Sequence, residues 1–219
     1  MFEEFFDLTA TPFTNSIPSD KLYMSPIMHE TLGRLKFAVS HRMFAVVTAD
    51  VGCGKSTTIR KFTDDLDRKN YEVLYIANSK LSPSWFYKGM LKQLGAEPKF
   101  YRDAASRQLQ RELEIIRGVH HRDVVCIVDE AHLLSKETFE EIRFLLNSKM
   151  DSETPLSLIL VGHNELWDKL KLQSYAAVRQ RIDIKCEIPQ YDRAETARYI
   201  DCHLKYAGCT REIFTEKAF

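Results

Sequence analysis

The sequence predicts an α/β fold in which a parallel β-sheet carries helices on both faces. Three observations predict it. Four short apolar runs, residues 44–48, 73–77, 124–128 and 158–161, alternate with stretches of helical periodicity, and strands apolar throughout are strands covered on both sides. Directly after the first run comes TADVGCGKSTT, residues 48–58. It fits the phosphate-loop pattern G-x-x-x-x-G-K-[ST] except that Ala49 stands at the first glycine. The third run ends in Asp129-Glu130, an acid pair at the carboxyl end of a buried strand.

Taken in order, each element has its own signal. Ile59, Phe62 and Leu66 recur at helical spacing after the loop. Ser82-Pro83 opens the next helix with a capping hydroxyl and a first-turn proline; Phe86, Met90 and Leu94 line its apolar side and Gly95 ends it. Leu109, Leu113 and Ile116 mark a helix that closes near Gly118, and Phe139, Ile142, Leu145 and Lys149 mark another. Residues 182–188 alternate strictly between apolar and polar, as in a strand wet on one face at a sheet edge. Pro189 ends this unit. Residues 192–207 read as a helix with Ala197, Ile200 and Leu204 on one side and Gly208 as its stop. Thr215 is placed to cap one more helix, with Phe214 and Phe219 as its hydrophobic staple. The 219 residues are therefore expected to be a fragment of a longer protein.

Composition narrows the function classes. A hydrophobic fraction of 44% supports a full core and argues against disorder. Lys+Arg and Asp+Glu both number 31, so no chain-wide field draws nucleic acid, and any such contact needs a local patch. The 5 cysteines are scattered and never spaced C-x-x-C, which speaks against a disulfide framework or a cysteine zinc site and for reduced thiols. The acidic start MFEEFFDLT does not suit a signal peptide, and no apolar run is long enough to cross a bilayer. A cytoplasmic protein without a membrane span is expected.

The chemistry lies in the loop and the acid pair. In a phosphate cradle the backbone N–H groups of Val51, Gly52, Cys53, Gly54, Lys55, Ser56 and Thr57 converge on phosphate oxygens at a helix N-terminus. Gly52 and Gly54 keep side chains out of that approach, Lys55 brings charge to the β and γ phosphates, and the Ser56 hydroxyl ligates Mg²⁺. The plain alternative is a strand–turn–helix with a surface lysine; the flanking strand and helix favour the cradle. Asp129 then completes the Mg²⁺ shell and Glu130 polarises the attacking water. An acid-bearing helix start is the alternative for this pair. ATP and Mg²⁺ are the expected ligands. Residues 161–164, Val-Gly-His-Asn, follow the fourth run and should sit beside the first strand's loop, which makes His163, and after it Asn164, candidates for sensing the γ phosphate. A polar turn explains them equally well. Arg179 or Arg181 is a candidate arginine finger reaching a neighbouring subunit, against the alternative of a solvated helix end.

These motifs, in this order, resemble those of AAA+ ATPases of the ExeA/GspA type, which include transposition helpers similar to TnsC and Mu B. FFDLTATPF looks like the family's N-terminal signature, TADVGCGKSTT its phosphate loop, VVCIVDEAHLL its Walker B strand, LILVGHNEL its sensing strand, RQRI its arginine stretch and IFTEKAF the start of its lid. The resemblance implies a P-loop NTPase core over residues 1–188, a three-layer sandwich around a five-stranded parallel sheet, and the beginning of a helical lid over residues 189–219. It also implies nucleotide at the subunit edge and assembly of copies into a ring or filament. Tyr23 and Met24 are expected near the adenine, and Phe5, Phe6 and Phe13 in the core. Ala49, His132 and His163 depart from the family pattern, which more often has glycine at the first and glutamine at the other two.

Two roles follow from that resemblance. One is a transposition helper that coats double-stranded DNA and recruits a transposase; the other is a secretion-pathway assembly ATPase. The letters D-E-A-H at residues 129–132 also occur in helicases, but no later helicase motif follows. Basic residues gather at 60–61 with 68–69, at 120–122, and at 169 and 171, clusters that are more often solvated faces.

Overall fold

A computed structural model describes residues 2–77, 82–147, 154–209, 211, 213 and 214. In chain order its elements are α1 (Phe2–Phe5), α2 (Pro26–Ser40), β1 (Phe44–Ala49), α3 (Lys55–Asp65), β2 (Tyr71–Ile76), α4 (Pro83–Gln93), α5 (Arg102–Gly118), β3 (Asp123–Val128), α6 (Lys136–Leu146), β4 (Ser157–Gly162), α7 (Asn164–Lys171), α8 (Ala176–Arg179), β5 (Ile184–Ile188) and α9 (Arg193–Tyr206). The five strands form one sheet in the order β2-β3-β4-β1-β5, with every pair parallel. β1 therefore runs between β4 and β5, with Thr48 level with Gly162 on one side and Glu187 on the other. Because all strands point the same way, the loops that leave β1, β3 and β4 share one rim of the sheet.

Alternation across the pleat divides the apolar residues between two layers. Phe44 and Val46, Cys126 and Val128, and Leu158 and Leu160 face α4 to α8. Ala45 and Val47, Val125 and Ile127, and Ile159 and Val161 face α2 and α3. Every residue of β1 and β4 is buried, which is why both read as unbroken apolar runs. The helical periodicities that mark α3 to α6 are met: Ile59, Phe62, Phe86, Met90, Leu109, Leu113, Phe139 and Ile142 are all in the core. This is the expected three-layer arrangement, with β5 as an edge strand.

Several expectations are corrected. β2 is the opposite edge of the sheet; Tyr75 stands 41% exposed, and the Gln93 side chain, not a further strand, pairs with its N–H and carbonyl at 2.8 Å each. α2 lies outside the sequence expectation, yet Ser25 accepts a hydrogen bond from the Met28 N–H at 3.2 Å to cap it, and it buries Leu32, Leu35 and Val39. Ser82 occupies the N-cap of α4 but its hydroxyl makes no capping bond. Phe5 and Phe13 are not core residues: Phe5 is exposed, and Phe13 stacks on His203 with ring centroids 5.3 Å apart. In α9 the buried position is His203, while Ala197, Ile200 and Leu204 are half-buried. Lys149, Thr215 and Phe219 lie outside the described residues.

The N-terminal segment packs on the end of α9. The Thr9 N–H donates to the Ala207 carbonyl at 2.8 Å. Gly208, at φ +80°, must be glycine there, since a Cβ would stand 2.6 Å from Thr9 Oγ1. Among the described residues no helix is long and apolar enough to cross a membrane.

Phe139, fully buried and edge-on to Tyr175 at 5.3 Å, anchors α6 to the sheet. Phe139→Ala should cost about 3–5 kcal/mol in urea unfolding; a loss under about 1 kcal/mol, the size of a surface effect, would mean that this face is not packed as described.

Candidate nucleotide site

The cradle begins where β1 leaves the sheet. Ala49 stays out of the left-handed region, so a methyl group is accommodated where the pattern has glycine. Gly52 and Gly54 both take φ +82°, a conformation in which a side chain is strained, and the space a Cβ would fill is open. Gly54 is the N-cap of α3. The first intrahelical bond runs from the Thr58 N–H to the Gly54 carbonyl at 2.8 Å. The amides of residues 55–57 thus have no partner within the helix and point out of its positive end.

Lys55 is buried, and its ammonium donates to the carbonyls of Ala49 at 3.0 Å and Asp50 at 2.9 Å. Its third contact is His163 Nδ1 at 3.2 Å. An ammonium can only donate, so that nitrogen accepts and the ring proton sits on Nε2. Nε2 in turn lies 3.6 Å from Glu130 Oε2. His163 therefore bridges the lysine of the loop and the glutamate of the acid pair, a placement that follows from β4 pairing with β1. Asn164 turns away from this line and donates through Nδ2 to Asp50 Oδ1 at 2.6 Å, tying the end of β4 to the loop.

The acid pair is held by its neighbours. Asp129 Oδ1 accepts the Glu130 N–H at 2.8 Å, and Oδ2 accepts the Tyr75 hydroxyl at 2.5 Å. Burial first, and then this bond, push the Tyr75 phenol well above its ordinary pKa. Glu130 adopts φ 52° and ψ 34°, a left-handed conformation that costs roughly 1 kcal/mol or more in a non-glycine residue and is found where function fixes the backbone. The 3-10 turn Ala131–Leu133 follows and puts His132 Nδ1 3.4 Å from Glu130 Oε2. Gly162 allows this approach, since a Cβ there would meet the His132 nitrogen at 3.3 Å and Leu166 Cδ2 at 3.1 Å. Lys169 secures the turn by donating to the carbonyls of His132 at 3.1 Å and Leu134 at 2.6 Å. Tyr75 and Lys169 are site-shaping residues that the sequence expectation did not include; the signal for Tyr75 is a phenol one residue from the end of a strand bordering the acid-bearing one.

Two clefts meet at the loop. One, of about 590 Å³, is lined by Gly52, Gly54, Lys55, Ser56, Glu130 and His163. The other, of about 500 Å³, is lined by Cys53, Thr57, Tyr23, Tyr191, Tyr199 and Phe13, and shares Val51, Gly52, Gly54 and Thr57 with the first. A polar pocket joined to an aromatic one suits a triphosphate joined to a base. Tyr23 is on the aromatic side, its hydroxyl donating to Glu195 at 2.8 Å. Met24 is not: it faces a separate cleft beside His29, Lys36 and Asp65. Hydroxyl and carboxylate oxygens at Ser56 and Asp129 are the hard donors Mg²⁺ takes.

Neither candidate finger reaches the cradle of its own chain. Arg179 donates to the carbonyls of Leu170 at 3.2 Å and Lys171 at 2.6 Å, at the end of α7. Arg181 lines a cleft with Phe44, Arg143 and Asp183 at the amino end of β1, the opposite end of that strand from the loop. The basic clusters are largely spent within the chain: Arg60 donates to the Ile17 carbonyl, Lys61 pairs with Asp65 and Arg122 with Glu72.

A five-stranded parallel sheet with a glycine-lysine loop after an inner strand defines the class as a P-loop NTPase of the AAA+ type. The model of the AAA domain matches residues 38–170, more than half of the chain, and the chain belongs to that family. It is 28% identical to General secretion pathway protein A of Aeromonas hydrophila over 222 residues, covering 100% of this chain and 40% of that protein. It is 26% identical to the Mu-like prophage FluMu DNA transposition protein B of Haemophilus influenzae over 167 residues, covering 74% and 54%. The chain thus spans about half or less of these curated relatives. Among solved structures it is similar to Cdc6p from Pyrobaculum aerophilum, with a TM-score of 0.65 and 15% identity over 98% of this chain and 56% of that one. A Walker-type ATPase of Pyrococcus abyssi aligns with a TM-score of 0.61 and 16% identity over 86% and 59%. At such identities these two show the fold.

Burial, and then the neighbouring His163, hold the His132 imidazole below its ordinary pKa of 6.5, and burial does the same for His203. A depressed histidine pKa leaves the unfolded chain binding more protons, so this stability is complete above pH 6.5 and is lost as pH falls through the folded values. Proton-detected titration of the histidine rings should give His132 a midpoint below 6.5; a midpoint above it would contradict the described burial.

Proposed function

We propose that this chain binds and hydrolyses ATP with Mg²⁺, and that copies of it assemble so that one completes the site of the next. The observation that carries the reading is the line Lys55–His163–Glu130, which joins the loop's ammonium to the carboxylate on one cleft. In the reading, the loop amides of residues 51–57 grip the triphosphate, and Lys55 leaves its two carbonyls for the β and γ oxygens. Mg²⁺, held by Ser56 and Asp129, supplies charge neutralisation across the phosphates. Glu130 orients and polarises the water, and His163, released by Lys55 on one side and facing Glu130 on the other, reports whether the γ phosphate is present. Residues 1–188 form the nucleotide-binding core, and residues 189–219 begin a helical lid whose Tyr199 closes on the base side.

For the biological role we propose a DNA-transposition helper that assembles on double-stranded DNA and recruits a transposase, acting in the cytoplasm. The second reading is a secretion-pathway assembly ATPase. It is favoured by the likeness to General secretion pathway protein A over 100% of this chain, where the likeness to the transposition protein covers 74% of it. A mobility shift on duplex DNA that requires ATP and weakens steeply with salt supports the first; its absence at low salt with the full-length protein supports the second.

Glu130→Gln should retain ATP binding and lose turnover by about 100-fold or more, the scale of a positioned base. Lys55→Ala should weaken ATP binding by about 10-fold or more, the scale of charge-assisted bonds. Calorimetry and phosphate release check both; normal turnover in the first variant would remove Glu130 from the mechanism.

A finger acting between subunits predicts complementation. Arg179→Ala or Arg181→Ala, inactive alone, should regain turnover when mixed with inactive Glu130→Gln, because mixed interfaces pair an intact arginine with an intact glutamate. Phosphate release that stays flat on mixing would place neither arginine in a partner's site.

A further inference from the structure

We propose that Glu130, His132 and His163 form a second metal site, selective for a Zn²⁺-class ion, that withdraws the water-polarising carboxylate from service. Glu130 Oε2 lies 3.4 Å from His132 Nδ1 and 3.6 Å from His163 Nε2, and the three ligand atoms all fall within 4.8 Å of one another. Tetrahedral zinc with bonds of about 2.1 Å spaces its ligand atoms about 3.4 Å apart. Two of the three edges are already close to that length, and the third is no longer than 4.8 Å.

The ligands come from a prebuilt arrangement. His132 Nδ1 is buried and makes no hydrogen bond, a polar atom left facing a carboxylate. Gly162 admits the His132 backbone, Lys169 holds the turn's carbonyls, and Glu130 is fixed in its left-handed conformation. The two imidazoles meet edge-on at 4.6 Å, and His132 Nδ1 and His163 Nε2 both lie within 3.6 Å of Glu130 Oε2. Two nitrogens and one carboxylate, with a fourth position open to the cleft, are a zinc donor set; Mg²⁺ prefers the oxygens of Ser56 and Asp129. The two ions are thereby sorted by donor chemistry.

Lys55 opposes the zinc. While its ammonium donates to His163 Nδ1, the ring proton stays on Nε2, the atom the metal needs. Metal binding moves that proton to Nδ1, where it would face the ammonium. Drawing Lys55 onto a phosphate removes the conflict, so nucleotide should tighten the metal site, and the metal should tighten nucleotide by the same factor. This coupling rests on the proposed role of Lys55, and the inhibitory consequence on that of Glu130; the existence of the site rests on neither.

The test uses the full chain, with Co²⁺ as a visible probe and Zn²⁺ measured by competition with a chelating dye. Wild type should bind one Zn²⁺ per chain and give the intense absorption of tetrahedral Co²⁺ without a thiolate charge-transfer band. His132→Gln and His163→Gln, each checked for a native circular dichroism spectrum, should each weaken Zn²⁺ binding by about 10-fold or more. ATP analogue should strengthen binding to the wild type, and Zn²⁺ added over excess Mg²⁺ should inhibit its ATP turnover but spare His132→Gln. Equal Zn²⁺ affinity in wild type and variants, or thiolate-type cobalt spectra, overturns the site. Absence of turnover in Mg²⁺ alone would instead defeat the ATPase reading, and the binding measurements would still decide the metal site.

Discussion

The pairing of β1 between two parallel neighbours governs the site. β4 and β5 hold it on both edges and helices cover it on both faces, so its direction cannot vary. The chain leaves it at Ala49 and has five residues before α3 begins at Lys55, two of them glycines at φ +82°. Those glycines turn the backbone sharply enough for the amides at the start of α3 to face the rim instead of the core. A strand free to shift by one residue would carry its whole hydrophobic set to the other face, and the loop with it. The rigidity of the core is thus the precondition for the geometry of the cradle.

The same register brings the remaining groups in. β4 lies between β1 and β3, so the residues following it stand between the loop and the acid pair. That is how His163 touches both Lys55 and Glu130, though 108 residues separate it from the lysine. Gly162, Lys169 and Tyr75 act at one remove. They let the 3-10 turn approach, hold its carbonyls and anchor Asp129. Apart from nucleotide, Lys55 is satisfied by two backbone carbonyls and an imidazole, a closed arrangement that a triphosphate must open. The lysine's position is therefore the natural readout of occupancy.

Much of this was legible in the sequence. The apolar runs of β1, β3 and β4 are strands buried on both faces, while the run of β2 is apolar although it lies at an edge; the alternation at residues 182–188 marks an edge because one face is wet. The loop and acid pair are local patterns and need no tertiary knowledge. The placement of His163 needed only the inference that the fourth strand lies beside the first. What escaped depends on distant contacts. Tyr75 matters because β2 borders β3, an order the sequence does not state. Phe13 reads as a core phenylalanine, yet it stacks on His203, 190 positions away. Arg179 reads as a finger or a solvated end, and its bonds to the last carbonyls of α7 are contacts that no local pattern states. α2 is a different kind of miss: its Ser25-Pro26 start and the spacing of Met28, Leu32, Leu35 and Val39 are ordinary helix signals.

The central claim is that this loop grips a triphosphate by its backbone and that Lys55 moves to do so. A crystal structure with a nonhydrolysable ATP analogue and Mg²⁺ tests it most directly. The account predicts β and γ phosphate oxygens within hydrogen-bonding distance of the amides of residues 52–57, with the Lys55 ammonium on the phosphates and off the carbonyls of Ala49 and Asp50. An analogue bound elsewhere at saturating concentration, or a lysine that stays on its carbonyls beside a bound analogue, would contradict it.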